Sequence, residues 1–239
     1  MKGYFVAGTD TGVGKTEVAR ALLLLLADER PRALKPVETG CDPAAPEDAL
    51  ALREACGPAA AALPLDEVCP YRFRLPAAPL IAAEAEGATI DLARIEKLVA
   101  GSAQPIVVES AGGLLVPLAR EVSRDSIELA DPATAAPATA LLTNLDLAER
   151  LGLPVVLVGR AGLGTVNHCA LSAQALASRG LEIAAVVLNR VVRDDDPTVA
   201  TNPALVAEMT GARVLGPTPF VERPGERPGA FLQILSVLR

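Results

Sequence analysis

Apolar residues in this chain fall mostly in short unbroken runs, with little strict alternation. Residues 4–7 (YFVA), 33–37 (ALKPV), 105–109 (PIVVE), 154–159 (PVVLVG), 183–189 (IAAVVLN) and 213–216 (RVLG) each read as a strand. Unbroken apolar runs suit strands covered on both faces, whereas a sheet with one wet face alternates. Pro36 has no N–H for a ladder, so the second run belongs at a sheet edge or at a strand's end. Helical spacing between the runs predicts helices over 15–29, 48–56, 90–101, 144–151, 166–179 and 203–209. The first is apolar nearly all round through 22–26 (LLLLL) and is expected to be buried on most faces.

Strands alternating with helices predict an α/β fold: a doubly wound, mostly parallel sheet with helices on both faces. No internal repeat or linker interrupts it, so one domain over 1–239 is expected. Three stretches stand apart. Residues 130–140 (ADPATAAPATA) predict a surface loop. Residues 193–202 predict a second, polar loop fronted by Asp194, Asp195 and Asp196. Three consecutive carboxylates invite a metal reading, but neighbours in sequence do not readily face one ion, and a solvated acidic loop is the plainer reading. Residues 222–229 hold two Pro and two Gly before a short apolar tail at 231–238.

Charge narrows the function. With 22 basic against 29 acidic residues the net charge is −7. That disfavours sequence-independent nucleic-acid binding and simple adhesion to an anionic membrane. The four cysteines form no C-x-x-C pair and the chain has one His, so neither a structural zinc site nor a stapled secreted scaffold is expected. Asp10 and Lys15 break the first apolar stretch, which argues against a signal peptide. No apolar run reaches the roughly 18–20 residues of a membrane span. A cytoplasmic location is the expectation.

The segment Gly8-Thr9-Asp10-Thr11-Gly12-Val13-Gly14-Lys15-Thr16 follows a predicted strand and opens a predicted helix. That is the setting of a phosphate loop, in which backbone N–H groups and a helix N-terminus converge on phosphate oxygens. Lys15 would neutralise the β- and γ-phosphates of ATP, and the Thr16 hydroxyl would ligate Mg2+. The usual pattern has Gly five residues before the second glycine of G-K-[ST]; here that residue is Thr9, and the nearest glycine is Gly8. Mg2+ takes one or two carboxylates besides phosphate and water. Glu109, ending the strongest apolar strand, is the leading candidate, with an ion-paired or capping Glu as the alternative. Asp48 is a second candidate, and helix N-capping explains it almost as well. Lys35, near a strand's carboxyl end, could hold a second anion beside the γ-phosphate or simply lie at the surface.

Together these residues resemble the dethiobiotin synthetase family. The matching pieces are GTDTGVGKT (8–16), KPVETG (35–40), EDALAL (47–52), PYRF (70–73), AAPLIAAEAEG (77–87), VESAGG with LVPL (108–113, 115–118) and LPVVLVGRAGLGTVNHCALSAQAL (153–176). The resemblance runs from Gly3 to about Phe220. It implies a single-domain fold of the P-loop NTPase type, usually a homodimer with the diamine near the dimer interface. It also implies the reaction: 7,8-diaminononanoate, CO2 (or bicarbonate) and ATP give dethiobiotin, ADP and phosphate through a carbamate and its phosphorylated form.

Site roles follow from the same resemblance. Lys15, Lys35 and Thr11 would be catalytic, and Thr11, Lys35 and Thr39 would meet the carbamate or diamine. Thr16, Asp48 and Glu109 would hold Mg2+. Gly12, Val13, Gly14 and Lys15, with the turn of Ser110, Ala111, Gly112 and Gly113, would cradle the nucleotide's phosphates, and Thr16, Glu17, Asp48 and Glu109 would also belong to the nucleotide site. Asn189 would read adenine, flanked by Pro219, Phe220 and Val221. Ser110 stands where the family commonly has Gly, and a serine fits there if its φ is negative. His168 matches a family position but reads as a helix-start packing or hydrogen-bonding residue.

Two rivals share the loop. Switch ATPases of the partition or septum-positioning type carry a Lys five residues before the phosphate-loop Lys, where this chain has Asp10. A related amidoligase would need an ammonia source that this chain does not visibly supply.

Overall fold

The computed structural model describes residues 2–122, 139–193, 195–222 and 227–239. Its centre is a sheet of six strands: β1 (Gly3–Gly8), β2 (Arg32–Leu34), β5 (Ile106–Gly113), β8 (Val155–Arg160), β9 (Ile183–Asn189) and β10 (Val214–Leu215). The spatial order is β10-β9-β8-β1-β5-β2, and every neighbouring pair is parallel. Each of the six predicted runs therefore contributes to one doubly wound sheet, the second only through Ala33 and Leu34.

The unbroken apolar runs do cover both faces. Phe5, Ala7, Ile106, Val108, Val155, Leu157, Val186 and Leu188 enter one core. Val6, Val107, Val156, Val158 and Val187, the residues between them, enter the other. Helices α1 (Lys15–Leu25), α2 (Glu47–Ala55) and α9 (Arg227–Leu235) supply the second core. The first core takes α4 (Pro79–Ala85), α5 (Leu92–Ala100), α6 (Asn144–Leu151), α7 (Thr165–Ser178) and α8 (Asn202–Thr210). The short α3 (Leu65–Val68) sits against α2. Helix α1 lies between the sheet and α9, which is why its leucine run is so deeply buried; Leu24 alone of that run is exposed.

Several boundaries differ from the expectation. Helix α1 stops at Leu25 and gives way to a short 3-10 turn over Ala27–Glu29. The second run splits at Lys35-Pro36: β2 closes the edge of the main sheet, and β3 (Val37–Thr39) pairs instead with β4 (Tyr71–Phe73). Pro36 cannot continue a ladder, so the chain leaves the sheet there. Residues 130–138 of the expected loop lie outside the described residues. Its last two, Thr139 and Ala140, instead begin β7 (Thr139–Thr143), antiparallel to β6 (Pro117–Val122).

The loop over 193–202 is more ordered than expected. Asp194 lies outside the described residues. The Asp196 carboxylate accepts from the backbone N–H groups of Thr198 and Leu163, so it caps a 3-10 turn rather than standing free in solvent. Among the described residues no three His, Cys, Asp or Glu side chains gather into a metal cluster. Within 222–229, residues 223–226 lie outside the described residues, and the stretch from Arg227 onward, read as loop and tail, is helix α9.

Candidate active site

Parallel strands place all their carboxyl ends on one edge, and ligands of open α/β sheets gather there. Here that edge carries the phosphate loop after β1, Lys35 after β2, Glu109 within β5 and Asn189 at the end of β9. Because β2, β5 and β1 are consecutive neighbours, Lys35, Glu109 and Thr16 converge.

The convergence is tight. The Lys35 ammonium donates to Glu109 Oε1 at 2.5 Å and to Asp48 Oδ2 at 2.9 Å. The Thr16 hydroxyl lies 3.0 Å from Asp48 Oδ1 and 2.9 Å from Glu109 Oε1. Lys35 is not a surface residue, and Asp48 is not a helix cap: it sits in the first turn of α2 with its carboxylate turned to Lys35 and Thr16. Burial raises the Glu109 pKa, and Lys35 offsets this only in part. Burial works against the Lys35 charge too, but the two carboxylates outweigh it and push its pKa up. Asp48 ends below the usual carboxylate range, because Lys35 and its hydrogen bonds outweigh burial.

Lys15 is buried and donates to the Asp10 carbonyl at 2.8 Å, closing the loop on itself. Burial, then the charge of Lys35, lowers its pKa to about 8. A Cβ at Gly8 would lie 2.8 Å from the Asp10 carbonyl oxygen and 2.9 Å from the Lys15 ammonium, so the loop needs a glycine there. Gly14 has φ +97°, and a Cβ there would lie 2.2 Å from Asn189 Nδ2. The loop is thus pressed against Asn189, and only glycine allows it. Val13 is buried, and Glu17 pairs with Arg20 on α1.

The Ser110 turn accommodates its serine. Arg30 is the one non-glycine among the described residues with positive φ, so the Ser110 backbone is open to a side chain; its Oγ donates to the Gly112 carbonyl at 3.4 Å. Gly112 takes the left-handed conformation of the turn, at φ +74°. Ala111 is half-buried beside it.

Two clefts adjoin the loop. One, of about 330 Å3, is lined by Thr11, Leu114, Leu115, His168, Leu171 and Ser172 among others. His168 is exposed and faces this cleft, so it is not a packing residue. The other groups Gly12, Gly14, Asn189, Pro219, Phe220 and Val221, which is the predicted base site. Thr39 ends β3 in the small sheet, one residue past Glu38, and no hydrogen bond ties its side chain to the phosphate loop.

Residues 2–127 and 126–225 match a family described as an AAA domain. A protein of Anaeromyxobacter dehalogenans described as ATP-dependent dethiobiotin synthetase BioD is 44% identical, over 99% of this chain and 98% of that one. Proteins with the same description from Haloferax mediterranei (37%; 98% and 91%) and Bacillus licheniformis (33%; 93% and 87%) match over most of both chains. The chain belongs to the dethiobiotin synthetase family. Among solved structures, chloroplast FtsY from Physcomitrella patens is 14% identical with a TM-score of 0.42, over 98% of this chain and 64% of that one.

Within the dethiobiotin synthetase frame, four residues that the sequence did not single out brace the site. Glu38 accepts from the backbone N–H groups of Asp48 and Ala49 at 3.1 and 2.9 Å. Helix α2 has Pro46 at its N-cap and no side-chain cap there, so Glu38 supplies from outside what a cap would supply from within. It thereby fixes the turn that presents Asp48. Asn144 Nδ2 donates to the carbonyls of Ala111 and Gly113 at 2.6 and 2.8 Å, holding the VESAGG turn. Thr218 donates to Asn189 Oδ1, and Phe231 of α9 lines the cleft beside Asn189. The sequence offered no signal for Glu38, because Asp48 itself read as the cap of that helix.

Proposed function

We propose that the chain carries out the reaction of its family: ATP-dependent carboxylation and ring closure of 7,8-diaminononanoate to dethiobiotin. The gathering of Lys15, Thr16, Lys35, Asp48 and Glu109 on one strand edge carries this reading within the family. In the first step an amine lone pair attacks CO2 and the nitrogen loses a proton, leaving a carbamate. A carbamate oxygen then displaces ADP from the γ-phosphorus. The second amine attacks the activated carbonyl carbon, phosphate leaves, and the ureido ring closes.

Charge is what this chain's residues have to manage. Lys15 lies in the phosphate loop, where its ammonium meets the β- and γ-phosphates. Lys35 supplies a second buried cation for the carbamate and the transferring phosphoryl group. Such catalysis is positioning and electrostatic stabilisation by groups already in place. Thr11, Thr39 and Lys35 hydrogen-bond the carbamate or diamine. Gly12 to Lys15 and the Ser110 to Gly113 turn surround the phosphates with backbone N–H groups. Asn189 reads the base, between Pro219, Phe220 and Val221.

The same residues fit Mg2+. Glu109 Oε2 is buried with no hydrogen-bond partner among the described residues, and with Asp48 and the Thr16 hydroxyl it makes an all-oxygen set of the sparse kind Mg2+ uses beside phosphates and water. When bound there, Mg2+ supplies charge neutralisation on the β- and γ-phosphates.

We further propose that residues 1–239 act as one catalytic domain and assemble as a homodimer in the cytoplasm. Leu115 and Leu171, both well exposed on the larger cleft, support a covered surface there. No helix of the described residues is long and apolar enough to cross a membrane.

The test is isotopic. Incubated with ATP, Mg2+, the diamine and 13C-bicarbonate, the protein is expected to yield dethiobiotin carrying one heavy carbon at the ureido carbonyl. Absence of labelled product with all four present would overturn the reaction assigned.

A further inference from the structure

Asn189 is held by protein on both ends of its amide. Its Nδ2 donates to the Val13 carbonyl at 2.9 Å, and its Oδ1 accepts from the Thr218 hydroxyl at 2.7 Å. A carboxamide has two N–H donors and two acceptor lone pairs. One of each remains for a ligand.

The orientation is decided by chemistry. The Val13 carbonyl can only accept, so the atom facing it must be the nitrogen. Thr218 Oγ1 already accepts from the Arg190 backbone N–H at 3.1 Å, which leaves its proton for Asn189 Oδ1. Thr218 is itself buried, 2% exposed, and its backbone N–H is anchored on the Leu188 carbonyl. A flipped amide would set two carbonyl oxygens against each other and strand the hydroxyl proton.

A fixed amide distinguishes purines by the order of donor and acceptor along one edge. A 6-amino purine presents a ring-nitrogen acceptor beside an amino donor, which matches an N–H and a C=O held in fixed order. A 6-oxo purine presents either the reverse order or two acceptors, and would need the amide to flip. We propose that Thr218 is the positioning residue that makes this site select 6-amino over 6-oxo purine nucleotides, by locking the Asn189 amide. This rests on the reading of Asn189 as the base contact.

The experiment compares ATP with ITP, which differ at the purine 6-position and in no exocyclic group elsewhere. Binding with Mg2+ and kcat/KM with diamine and bicarbonate are measured for the whole protein, for Thr218→Val, Thr218→Ala and Thr218→Ser, and for Asn189→Ala. The unaltered protein is expected to favour ATP by at least about tenfold, the scale of one mismatched hydrogen bond. Thr218→Val and Thr218→Ala leave the Val13 carbonyl as the remaining fix on the amide, so they should narrow that preference severalfold through binding and KM, with kcat for ATP little changed. Thr218→Ser, which keeps the hydroxyl, should retain it. A purely structural role would lower stability without moving the ATP-to-ITP ratio. If Asn189→Ala collapses the ratio while both hydroxyl-free variants keep it, the role of Thr218 is overturned and the base contact stands. If Asn189→Ala also keeps the ratio, or the unaltered protein shows no preference, the base reading falls and takes this inference with it.

Discussion

Lys35→Gln is expected to cost turnover about 1000-fold or more and, unlike most site substitutions, to destabilise the fold as well. Both effects have one origin. Lys35 is the buried cation between Glu109 and Asp48, and Glu109 is 1% exposed. Removing one partner of a buried pair leaves the other's desolvation cost unmatched, typically about 3–5 kcal/mol. Glu109 can limit the loss by taking up a proton, and burial already raises its pKa, so the lower end, about 3 kcal/mol, is the expected deficit. Adding Glu109→Gln should recover more than half of that stability and none of the activity. Urea denaturation of the single and double variants, beside their rates, checks both parts. A Lys35→Gln protein of normal stability and rate would remove Lys35 from the mechanism.

Glu109→Gln is expected to act differently. The fold should be kept, because Lys35 retains Asp48 as a partner at 2.9 Å. What is lost is the anionic oxygen pair, one atom of which, Oε2, makes no hydrogen bond among the described residues. The Mg2+ concentration for half-maximal rate should rise at least about tenfold. Calorimetric titration of Mg2+ in the presence of a non-hydrolysable ATP analogue should show the same shift without turnover. An unchanged titration would move the metal off β5.

What could be read from the chain and what could not divides along physical lines. The phosphate loop was legible because its parts are local: an apolar run, a glycine-rich turn and a helix start in consecutive residues. Lys35, Asp48 and Glu109 could be named singly, from their places at strand and helix ends. Their contact could not be, since it depends on β2 and β5 being neighbours in register, with Arg32 opposite Ile106. Glu38, Asn144 and Thr218 act mainly through backbone groups or an amide far along the chain, and no periodicity reports that. Helix α9 was misread for a different reason. Pro228 and Gly229 argue against a helix, yet Phe231 and Leu235 dock into the core against α1, and packing of that kind overrides local preference. The hairpin strand β7 was hidden in the same way, by an Ala- and Pro-rich approach that shows no alternation.

The most direct test of the whole account is phosphate release from ATP and Mg2+, measured with diamine and bicarbonate present together, singly and not at all. Release is expected only when both are present, because the carbamate is the acceptor of the γ-phosphoryl group. Steady hydrolysis without the diamine, or none under any condition, would contradict it.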